Sequence, residues 1–496
     1  MYDHYLFDLQ TRSALGLEQL GEAHFELRTV YNFRQRLSQY MQEKGINLLD
    51  QAFEQVTDEQ IAAFGLKTEK QRMDSTLLAS NIRHMGRLQL LVEVLQRTQR
   101  MLNEAEQGQY VEVFAPYVQG HAGQYIYRLK SDDYASHMQQ IGLVMQQLLR
   151  ELRPAHGQDL VYQVLERVFG EHFKVEAETV TTKEAKELSA SSLQSPDDLE
   201  ATYREKRGTG YQGYSANLSE TCDPQNPFQL ITKVQVAPNV TDDSQLLAEA
   251  LPNLKERTNV NTMYTDGGFG SPEVDKVLQE QQVELVQTAI RGRNPNPEKL
   301  HLSDFEIKFN PDGKPVQITC PNKQTVSVHT THQQKGFVAC FEPSVCQDCP
   351  FFQKDRCPAQ PGKRDMQLRL RFTQAEAQAS ERRRRSRERK KEAGNLRSAV
   401  EATVRSVKHP FPAGKLPVRG KFRVACMVIG SAAVSNVRRI QRYLEGQHEE
   451  KKQVEKARSE RDNASKTAAP SFWGFVRTLL GGLRWPNAAL SPVLGC

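Results

Sequence analysis

The stretch from residue 209 to residue 290 alternates between strand-like and helix-like segments, and this order constrains the fold more than any other feature of the chain. Two β-rich segments come first and are joined by a turn rich in Asn and Pro. A helix, a strand, a second helix and a further strand follow. The six segments span 209–221, 228–238, 242–257, 261–266, 271–282 and 283–290. Strands that alternate with helices in this way predict an α/β fold built on a mixed sheet.

The turn MYTDGGFGSPEV, residues 263–274, delivers an acidic side chain to the end of one of these strands. Asp266 is followed by Gly267 and Gly268, and Pro272 suits the first turn of a new helix. A carboxylate at a strand end, next to two glycines, can reach a metal ion that a bulkier turn would block. The alternative is an ordinary Asp-Gly-Gly loop. The interpretation of Asp266 as a metal ligand requires other carboxylates that lie close to it.

Residues 70–87, KQRMDSTLLASNIRHMGR, place a second carboxylate, Asp74, in a short extended segment ahead of a helix. Asp74 is interpreted either as the N-cap of that helix or as a metal-binding carboxylate at the end of a first strand. In the second case the chain resembles a ribonuclease-H-like α/β fold with a long helical insertion after its first strand.

The segment NLRSAVEATVRSVKHPF, residues 395–411, predicts a helix with a third carboxylate. At about 100° per residue, Arg397, Glu401 and Lys408 share one face, and Pro410 ends the helix. A helix face that carries a base, an acid and a base is poorly suited to packing in a hydrophobic core. It suits a carboxylate on a metal ion beside two cations on DNA phosphates. A surface row of salt bridges is the alternative.

The spacing Arg397-x3-Glu401-x6-Lys408 resembles the Tyr-x2-Arg-x3-Glu-x6-Lys signature of bacterial insertion-sequence DDE transposases. Four further segments are similar to conserved blocks of one such family: RMDSTLLASNIRHMGRLQLL, GYQGYSANLSET, TDGGFGSPEV and KLPVRGKFRVACMVIGSAAVSNVRRI. There are two departures. Gly394 occupies the position of the signature's Tyr, and the chain starts partway into the family's N-terminal helical region, so we expect a shortened DNA-binding part.

This resemblance implies a transposase that binds the terminal inverted repeats of its own element and target DNA, as a homodimer when two ends are paired. It implies Asp74, Asp266 and Glu401 as the catalytic triad, holding Mg²⁺ or Mn²⁺ for a two-metal phosphoryl transfer. Two other classes stay open, a metal-dependent nuclease on the same fold and a catalytically inactive DNA-binding relative. The residues expected to contact DNA are Arg397, Lys408, Arg405, Arg382, Arg383, Arg384 and Arg385.

The segment CFEPSVCQDCPFFQKDRC, residues 340–357, brings four cysteines close together in a β-rich region. A Cys-x2-Cys step of this kind is typical of structural Zn²⁺ sites in intracellular proteins. The predicted ligands are Cys340, Cys346, Cys349 and Cys357. The outer spacings are irregular, so reduced thiols are the alternative. The candidate substitute ligands are Cys320, His329 and His332.

Basic residues are unevenly placed along the 496-residue chain, whose formal charge is +6. The run ERRRRSRERKK, residues 381–391, lies in a helix predicted from 373 to 393. It suits DNA phosphates, with a solvated helix face as the alternative. The first residues show no secretory pattern, and no apolar run approaches the roughly 20 residues of a membrane span. We therefore expect an intracellular protein with no clear membrane partner, and the resemblance implies a bacterial cytoplasmic protein that associates with the nucleoid.

These features divide the chain into seven predicted regions. They are a helical N-terminal region (1–68), the first core segment (69–100), a helical insertion with a linker (101–207), the central core (208–297), a β-rich insertion with the cysteines and the Arg-rich helix (298–394), the Glu-bearing helix with the end of the core (395–445), and a charged, partly disordered tail (446–496). The tail also contains a short apolar segment, residues 471–485, whose partner stays open.

Overall fold

The structure is a computed structural model. It describes residues 2–17, 19, 22–176, 179–206, 208–288, 296–310, 312–331, 336–362, 367–389 and 396–467. The chain divides into two units, residues 1–436 and residues 437–496. Three features of the sequence prediction, Gly394, His332 and the apolar segment 471–485, lie outside the described residues.

The N-terminal region is helical. Its helices are α1 (Tyr2–Phe7), α2 (Leu9–Ala14), α3 (Leu27–Lys44) and α4 (Leu48–Phe64). The Asn47 side chain caps α4 by accepting a hydrogen bond from the Leu49 amide, and Gly65 ends the helix in the left-handed conformation. Phe53 of α4 packs into the core of the sheet described below, so this helix belongs to the main body of the protein.

β1 (Lys70–Ala79) follows, and a helical region separates it from the next strand of its sheet. The elements of this region are α5 (Arg87–Met101), α6 (Glu104–Gln109), α7 (Val111–Phe114), α8 (Ala122–Tyr127), α9 (Tyr134–His156), α10 (Leu160–His172), and a hairpin of β2 (Phe173–Glu176) and β3 (Thr179–Thr182). Leu91, Ile141 and Leu165 are fully buried in a core formed by these elements. The helical region thus has a core distinct from those of the sheet.

The polar segment 180–207 is partly buried, although its composition predicts a surface linker. Asp198 is buried, and its carboxylate accepts hydrogen bonds from the Ser80 hydroxyl, the Tyr214 hydroxyl and the Gly420 amide. These donors offset the cost of removing a carboxylate from water. Burial, together with the Asp198 carboxylate, raises the pKa of Tyr214. The segment therefore fastens the helical region to β1 and its neighbours.

The central sheet is mixed. Its remaining elements are β4 (Thr202–Lys206), β5 (Thr209–Thr221), β6 (Ile231–Pro238), α11 (Asp243–Thr258), β7 (Thr262–Thr265), α12 (Pro272–Glu280) and β8 (Glu284–Gln287). The strand order is β6–β5–β1–β7–β8, and β4 pairs with the first part of β5. β5 is antiparallel to β1 and β6, whereas β1, β7 and β8 are parallel. A mixed sheet of this kind is consistent with the ribonuclease-H-like fold that the resemblance implies.

A second sheet is formed by residues 306–372. Its elements are β9 (Glu306–Phe309), β10 (Pro315–Thr319), β11 (Thr325–Thr330), β12 (Phe337–Phe341), α13 (Pro343–Gln347), α14 (Pro350–Gln353), β13 (Gln360–Pro361) and β14 (Leu368–Phe372). The order is β13–β14–β12–β11–β10–β9, and neighbouring strands are antiparallel. A turn in which the Gly313 amide donates to the Asn310 carbonyl joins β9 to β10. α15 (Gln374–Arg389) follows this sheet.

Helices cover both faces of the central sheet. On one face, Met73 and Met263 pack against α11 and α12. On the other face, Leu78 and Leu218 pack against α4, α16 (Val400–Lys408) and the first part of α17 (Lys421–Thr467). Because successive residues of a strand point to opposite faces, Asp74 lies on the face that α16 covers.

Residues 437–467 of α17 belong to the second unit. The charged segment from 446 to 467 was expected to be loosely ordered, but it is helical, because Glu, Lys, Gln, Arg and Ala are strong helix formers. Among the described residues, no helix has both the length and the apolar character needed to cross a membrane.

Candidate active site

Asp74 and Asp266 lie on neighbouring parallel strands at the point where β7 ends. The ladder pairs Arg72 with Tyr264, and two further residues along each strand lead to Asp74 and Asp266. β7 ends at Thr265, whereas β1 continues beyond Asp74. The sequence placed Asp74 at the end of its strand, which is wrong. Asp74 lies inside β1, but it still marks the carboxyl end of the parallel pair.

Asp74 is a largely buried carboxylate and does not cap the helix that follows it. α5 begins only at Arg87, after Gly86, so the N-cap interpretation of Asp74 is wrong. Burial raises the pKa of Asp74, Arg397 opposes this effect, and the charge of Asp266 adds to it. Carboxylates that repel each other at a buried position are typical of functional sites.

The turn after β7 fixes the direction of Asp266. Its Oδ1 accepts a hydrogen bond of 2.8 Å from the Gly268 amide and so caps a short 3-10 turn, Gly267–Phe269. Ser271 then caps α12 by accepting from the Val274 amide, and Pro272 occupies the first turn of that helix, as predicted. A tight turn between a strand and a helix therefore presents the carboxylate.

Arg397 connects the first and the third predicted carboxylates. Its Nη2 donates to Asp74 Oδ2 at 3.0 Å, and its Nη1 lies 3.5 Å from Glu401 Oε1. The Asp74 and Arg397 side chains are largely buried, whereas the Glu401 side chain is 63% exposed. The structure therefore brings Glu401 to the same site as Asp74, although the two residues are far apart in sequence.

The predicted row of Arg397, Glu401 and Lys408 on one helical face is only partly correct. α16 begins at Val400, and the Val400 amide donates to the carbonyl of Arg397, three residues earlier, which is the spacing of a turn. Arg397 therefore precedes the helix and reaches its partners from this turn. Glu401 lies in the first turn of α16 and Lys408 in the last.

A buried charge network holds this turn and α16 against the sheet. Arg72 donates to Glu220 Oε1 at 2.6 Å and to the Leu396 carbonyl at 2.8 Å. Thr403 of α16 donates to the other oxygen of Glu220 at 2.7 Å. This network was not predicted from the sequence. Strand alternation could have indicated Arg72, because it shares the face of Asp74, but its partner Glu220 depends on the register of β5.

Lys408 and Arg405 differ in their surroundings. Lys408 Nζ donates to the Leu77 carbonyl at 2.8 Å, lies 3.5 Å from Thr76 Oγ1 and 5.9 Å from the centre of the Tyr211 ring, and burial lowers its pKa. It therefore binds β1 in this structure, although the sequence assigned it to DNA. Arg405 is exposed on α16 and is accessible to DNA.

Asp243 is a further carboxylate next to Asp266 that the sequence analysis did not single out. It is the first residue of α11, it is buried, and its Oδ1 accepts a hydrogen bond of 2.7 Å from the Ser75 hydroxyl. Burial raises the pKa of Asp243, and the charge of Asp266 adds to this effect. A Cβ at Gly268 would lie 3.1 Å from Asp243 Oδ2. Asp243 therefore lies next to the turn that carries Asp266.

The arginines of α15 are engaged largely within the protein. Arg382 pairs with Asp275 of α12, Arg384 and Arg385 pair with Glu381 of their own helix, and Arg383 is half-buried. The Ser386 hydroxyl of the same helix donates to the Gln287 carbonyl at the end of β8, and the Gln287 side chain donates to the Asp266 carbonyl. α15 therefore packs beside the Asp266 turn, and its DNA contacts remain a prediction.

The three carboxylates supply oxygen atoms, the ligand type that Mg²⁺ and Mn²⁺ prefer. Among the described residues, however, no group of three or more His, Cys, Asp or Glu side chains is arranged to hold a metal ion. Arg397 accounts for part of this absence of a metal-holding arrangement, because its guanidinium contacts both Asp74 and Glu401. The donor chemistry fits a divalent cation, while in this arrangement Arg397 supplies the positive charge.

The cysteines are grouped differently from the prediction. One cavity is lined by Cys320, Cys346, Cys349 and Cys357. Cys340 lies on β12 between Ala339 and Phe341, which are both buried in the core, so alternation directs its side chain to the opposite face. Including Cys340 in the cluster was therefore wrong. His329 is exposed on β11 and is not among the residues that line the cavity.

Comparison with known proteins adds one match. Residues 319–441, about a quarter of the chain, match a family described as the transposase DDE domain. The matched segment includes Arg397, Glu401 and Lys408, and also the four clustered cysteines. No curated protein and no solved structure matches the chain. Residues 319–441 are therefore similar to a transposase DDE domain, and the predicted resemblance to DDE transposases is confirmed.

Proposed function

We propose that this protein is the transposase of a bacterial insertion sequence, which cuts the ends of its own element and joins them to target DNA. The observation that best supports this proposal is the link from Arg397 to both Asp74 and Glu401. It gathers two of the three expected catalytic carboxylates at one site, and strand register brings Asp266 to the first of them. The transposase DDE match over Glu401 supports the same assignment.

Asp74, Asp266 and Glu401 would hold the divalent ions, because they are oxygen donors on three different elements, β1, the turn after β7, and α16. When bound, two Mg²⁺ or Mn²⁺ ions supply activation of the attacking oxygen and stabilisation of the leaving oxygen. Arg397 offsets the negative charge of Asp74 and Glu401 in this structure, and it would be close enough to contact a DNA phosphate at this site. Structural Zn²⁺, the other predicted cofactor, takes no part in this chemistry.

The DNA surface that this proposal requires includes the exposed face of α16. Arg405 lies on the same short helix as Glu401 and is exposed, so it can bind a phosphate close to the scissile bond. The arginines of α15 lie beside the Asp266 turn. Exposed ion pairs contribute little free energy, so a phosphate can replace Glu381 as the partner of Arg385, whose side chain is 58% exposed. Pairing of two element ends would require a homodimer.

The experiment uses purified full-length protein and a DNA fragment that carries its own gene with the flanking sequence. Breaks are mapped with Mg²⁺ or Mn²⁺ and with a chelator, and joined products are scored separately. Metal-dependent breaks at the element boundaries, together with joined products, are the expected result. Breaks without joining would favour a nuclease, and binding without breaks would favour an inactive DNA-binding relative. Either of these outcomes would contradict the proposal.

A further inference from the structure

Four cysteines from three separate turns meet at one cavity beneath the second sheet. Cys320 follows β10, Cys346 lies in α13, Cys349 precedes α14, and Cys357 lies in the loop before β13. The volume of the cavity is about 20 Å³, which is enough for one small atom. Its remaining wall is largely apolar and includes Phe305, Phe341 and Phe352. A group of four sulfurs around so small a space is the donor set of a structural metal site.

The backbone around the sulfurs is arranged in tight turns. The Cys320 amide donates to the Gln324 carbonyl at 2.9 Å, and the Lys323 amide donates back to the Cys320 carbonyl at 2.8 Å. Across the cavity, the Cys349 amide donates to the Cys346 carbonyl at 3.2 Å, which folds the Cys-x2-Cys step into a turn. Both turns place cysteines at the wall of the same cavity.

The cysteines affect one another's pKa values electrostatically. Burial raises the pKa of Cys346 to about 11, and its neighbours Cys357, Cys320 and Cys349 add to this effect. Burial also raises the pKa of Cys357, while a hydrogen bond from the Ala359 amide lowers it. Metal binding to cysteines favours the thiolate form and releases protons, so affinity for a cation should rise with pH.

The segment that carries Cys346, Cys349 and Cys357 contains little regular secondary structure. Between β12 and β13 the only helices are α13 and α14, which contain five and four residues, and helices this short are not stable by themselves. Phe352 and Cys349 provide some burial, and the backbone hydrogen bonds within the segment, such as Phe352 amide to Cys349 carbonyl, close single turns. A metal ion that joins Cys320 to this segment would add a cross-link between the two.

We propose that Cys320, Cys346, Cys349 and Cys357 bind one structural Zn²⁺ ion, and that Cys340 is not a ligand. The described residues contain no group already arranged around a metal ion, so binding is expected to draw the four sulfurs inward. Tetrahedral coordination by four thiolates leaves no open position, so this ion stabilises the fold and does not act on DNA. The inference does not rest on the proposed function.

The test measures zinc in the purified full-length protein and in single-cysteine variants. Elemental analysis should give one zinc ion per chain in the unmodified protein, and Cys340→Ser, the matched control, should retain it. Cys320→Ser and Cys349→Ser should lose zinc or bind it far more weakly. Cobalt exchanged into the unmodified protein should give the intense thiolate charge-transfer absorption of four sulfur ligands.

Three results would overturn the proposal. The first is unmodified protein that binds neither zinc nor cobalt after reduction. The second is a cobalt spectrum without the absorption of four thiolates, which can be read even if a cysteine variant fails to fold. The third is loss of zinc in Cys340→Ser with retention in Cys320→Ser, which would restore the ligand set expected from sequence spacing. None of these measurements depends on DNA cleavage.

Discussion

The guanidinium of Arg397 donates to the carboxylate of Asp74 at 3.0 Å, although the two residues lie 323 positions apart in the chain. The same guanidinium lies 3.5 Å from the carboxylate of Glu401. One cation therefore joins the central strand of the sheet to the first turn of α16. Under the proposed function, Arg397 and a divalent metal would compete for these two carboxylates.

Replacing Arg397 should separate its competition with the metal from its contribution to stability. In Arg397→Ala we expect Mn²⁺ to bind about tenfold more tightly in the absence of DNA, a gain of about 1.4 kcal/mol, because no guanidinium competes for Asp74 and Glu401. The metal-free variant should melt at a lower temperature, since a buried carboxylate loses its partner, and Mn²⁺ should restore the melting temperature. Calorimetric titration measures the affinity. Arg397→Lys serves as the control, and unchanged Mn²⁺ affinity in Arg397→Ala would contradict this account.

Loss of the Glu220 charge should loosen α16. Glu220→Gln keeps the shape of the side chain but leaves Arg72 as a buried cation without its anionic partner, so we expect the free energy of unfolding to fall by about 3–5 kcal/mol. Chemical denaturation measures it. The matched control is Glu249→Gln on the exposed side of α11, for which the change should stay within about 0.5 kcal/mol. Equal values for the two variants would show that the network does not support the helix.

A methyl group at position 268 should disturb catalysis more than folding. The Cβ of Gly268→Ala would lie 3.0 Å from Asp266 Oδ1 and 3.1 Å from Asp243 Oδ2, so the carboxylates must shift by a few tenths of an ångström. We expect DNA cleavage to slow by at least about tenfold, because small displacements at a reacting centre are costly. DNA binding should persist. Gly430→Ala, at a helical site with open space around it, is the control and should cleave normally.

Asp50 should make stability depend on pH. Burial raises its pKa from 3.8 to about 6, Lys233 and Arg257 oppose this effect, and Glu54 adds to it. The folded protein then binds this proton more tightly than the unfolded chain does. The contribution of Asp50 is therefore fully present below pH 4 and is lost as the pH rises through about 6, by up to about 3 kcal/mol.

Asp50→Asn should accordingly raise the free energy of unfolding at pH 7 and leave it nearly unchanged at pH 4. Urea denaturation at the two pH values measures the difference. Asp312→Asn, in an exposed turn, should show no such dependence. A stabilisation of Asp50→Asn that is equal at both pH values would mean that its carboxyl does not titrate in this range.

Much of the central core was predictable because its signals are local. Strand-forming residues predicted β5 with its observed bounds, and the Asp242 cap and the Ser271-Pro272 step marked the starts of α11 and α12. Asp266 was recognised because its two glycines indicate a tight turn. Each of these features depends on residues that are neighbours in sequence.

The remaining features depend on contacts that no local pattern records. Spacing along the sequence predicted Cys340 as a zinc ligand, but strand alternation directs its side chain to the opposite face. Cys320, which lies in the turn between β10 and β11, lines the cavity instead. Glu220 and Asp243 are placed by strand register and by the packing of α11, which sequence spacing does not determine. The helical wheel failed for Arg397 because α16 starts three residues after it.

The most direct test of the central claim compares Glu401→Gln with the unmodified protein on DNA that carries the element ends. Quantitative gels would follow Mn²⁺-dependent cleavage, and DNA binding would be measured separately. We predict that the cleavage rate falls at least about 1000-fold, equivalent to about 4 kcal/mol of transition-state stabilisation, while DNA affinity changes little. Cleavage at the normal rate in Glu401→Gln would contradict the assignment of Glu401 to a catalytic site with Asp74 and Asp266.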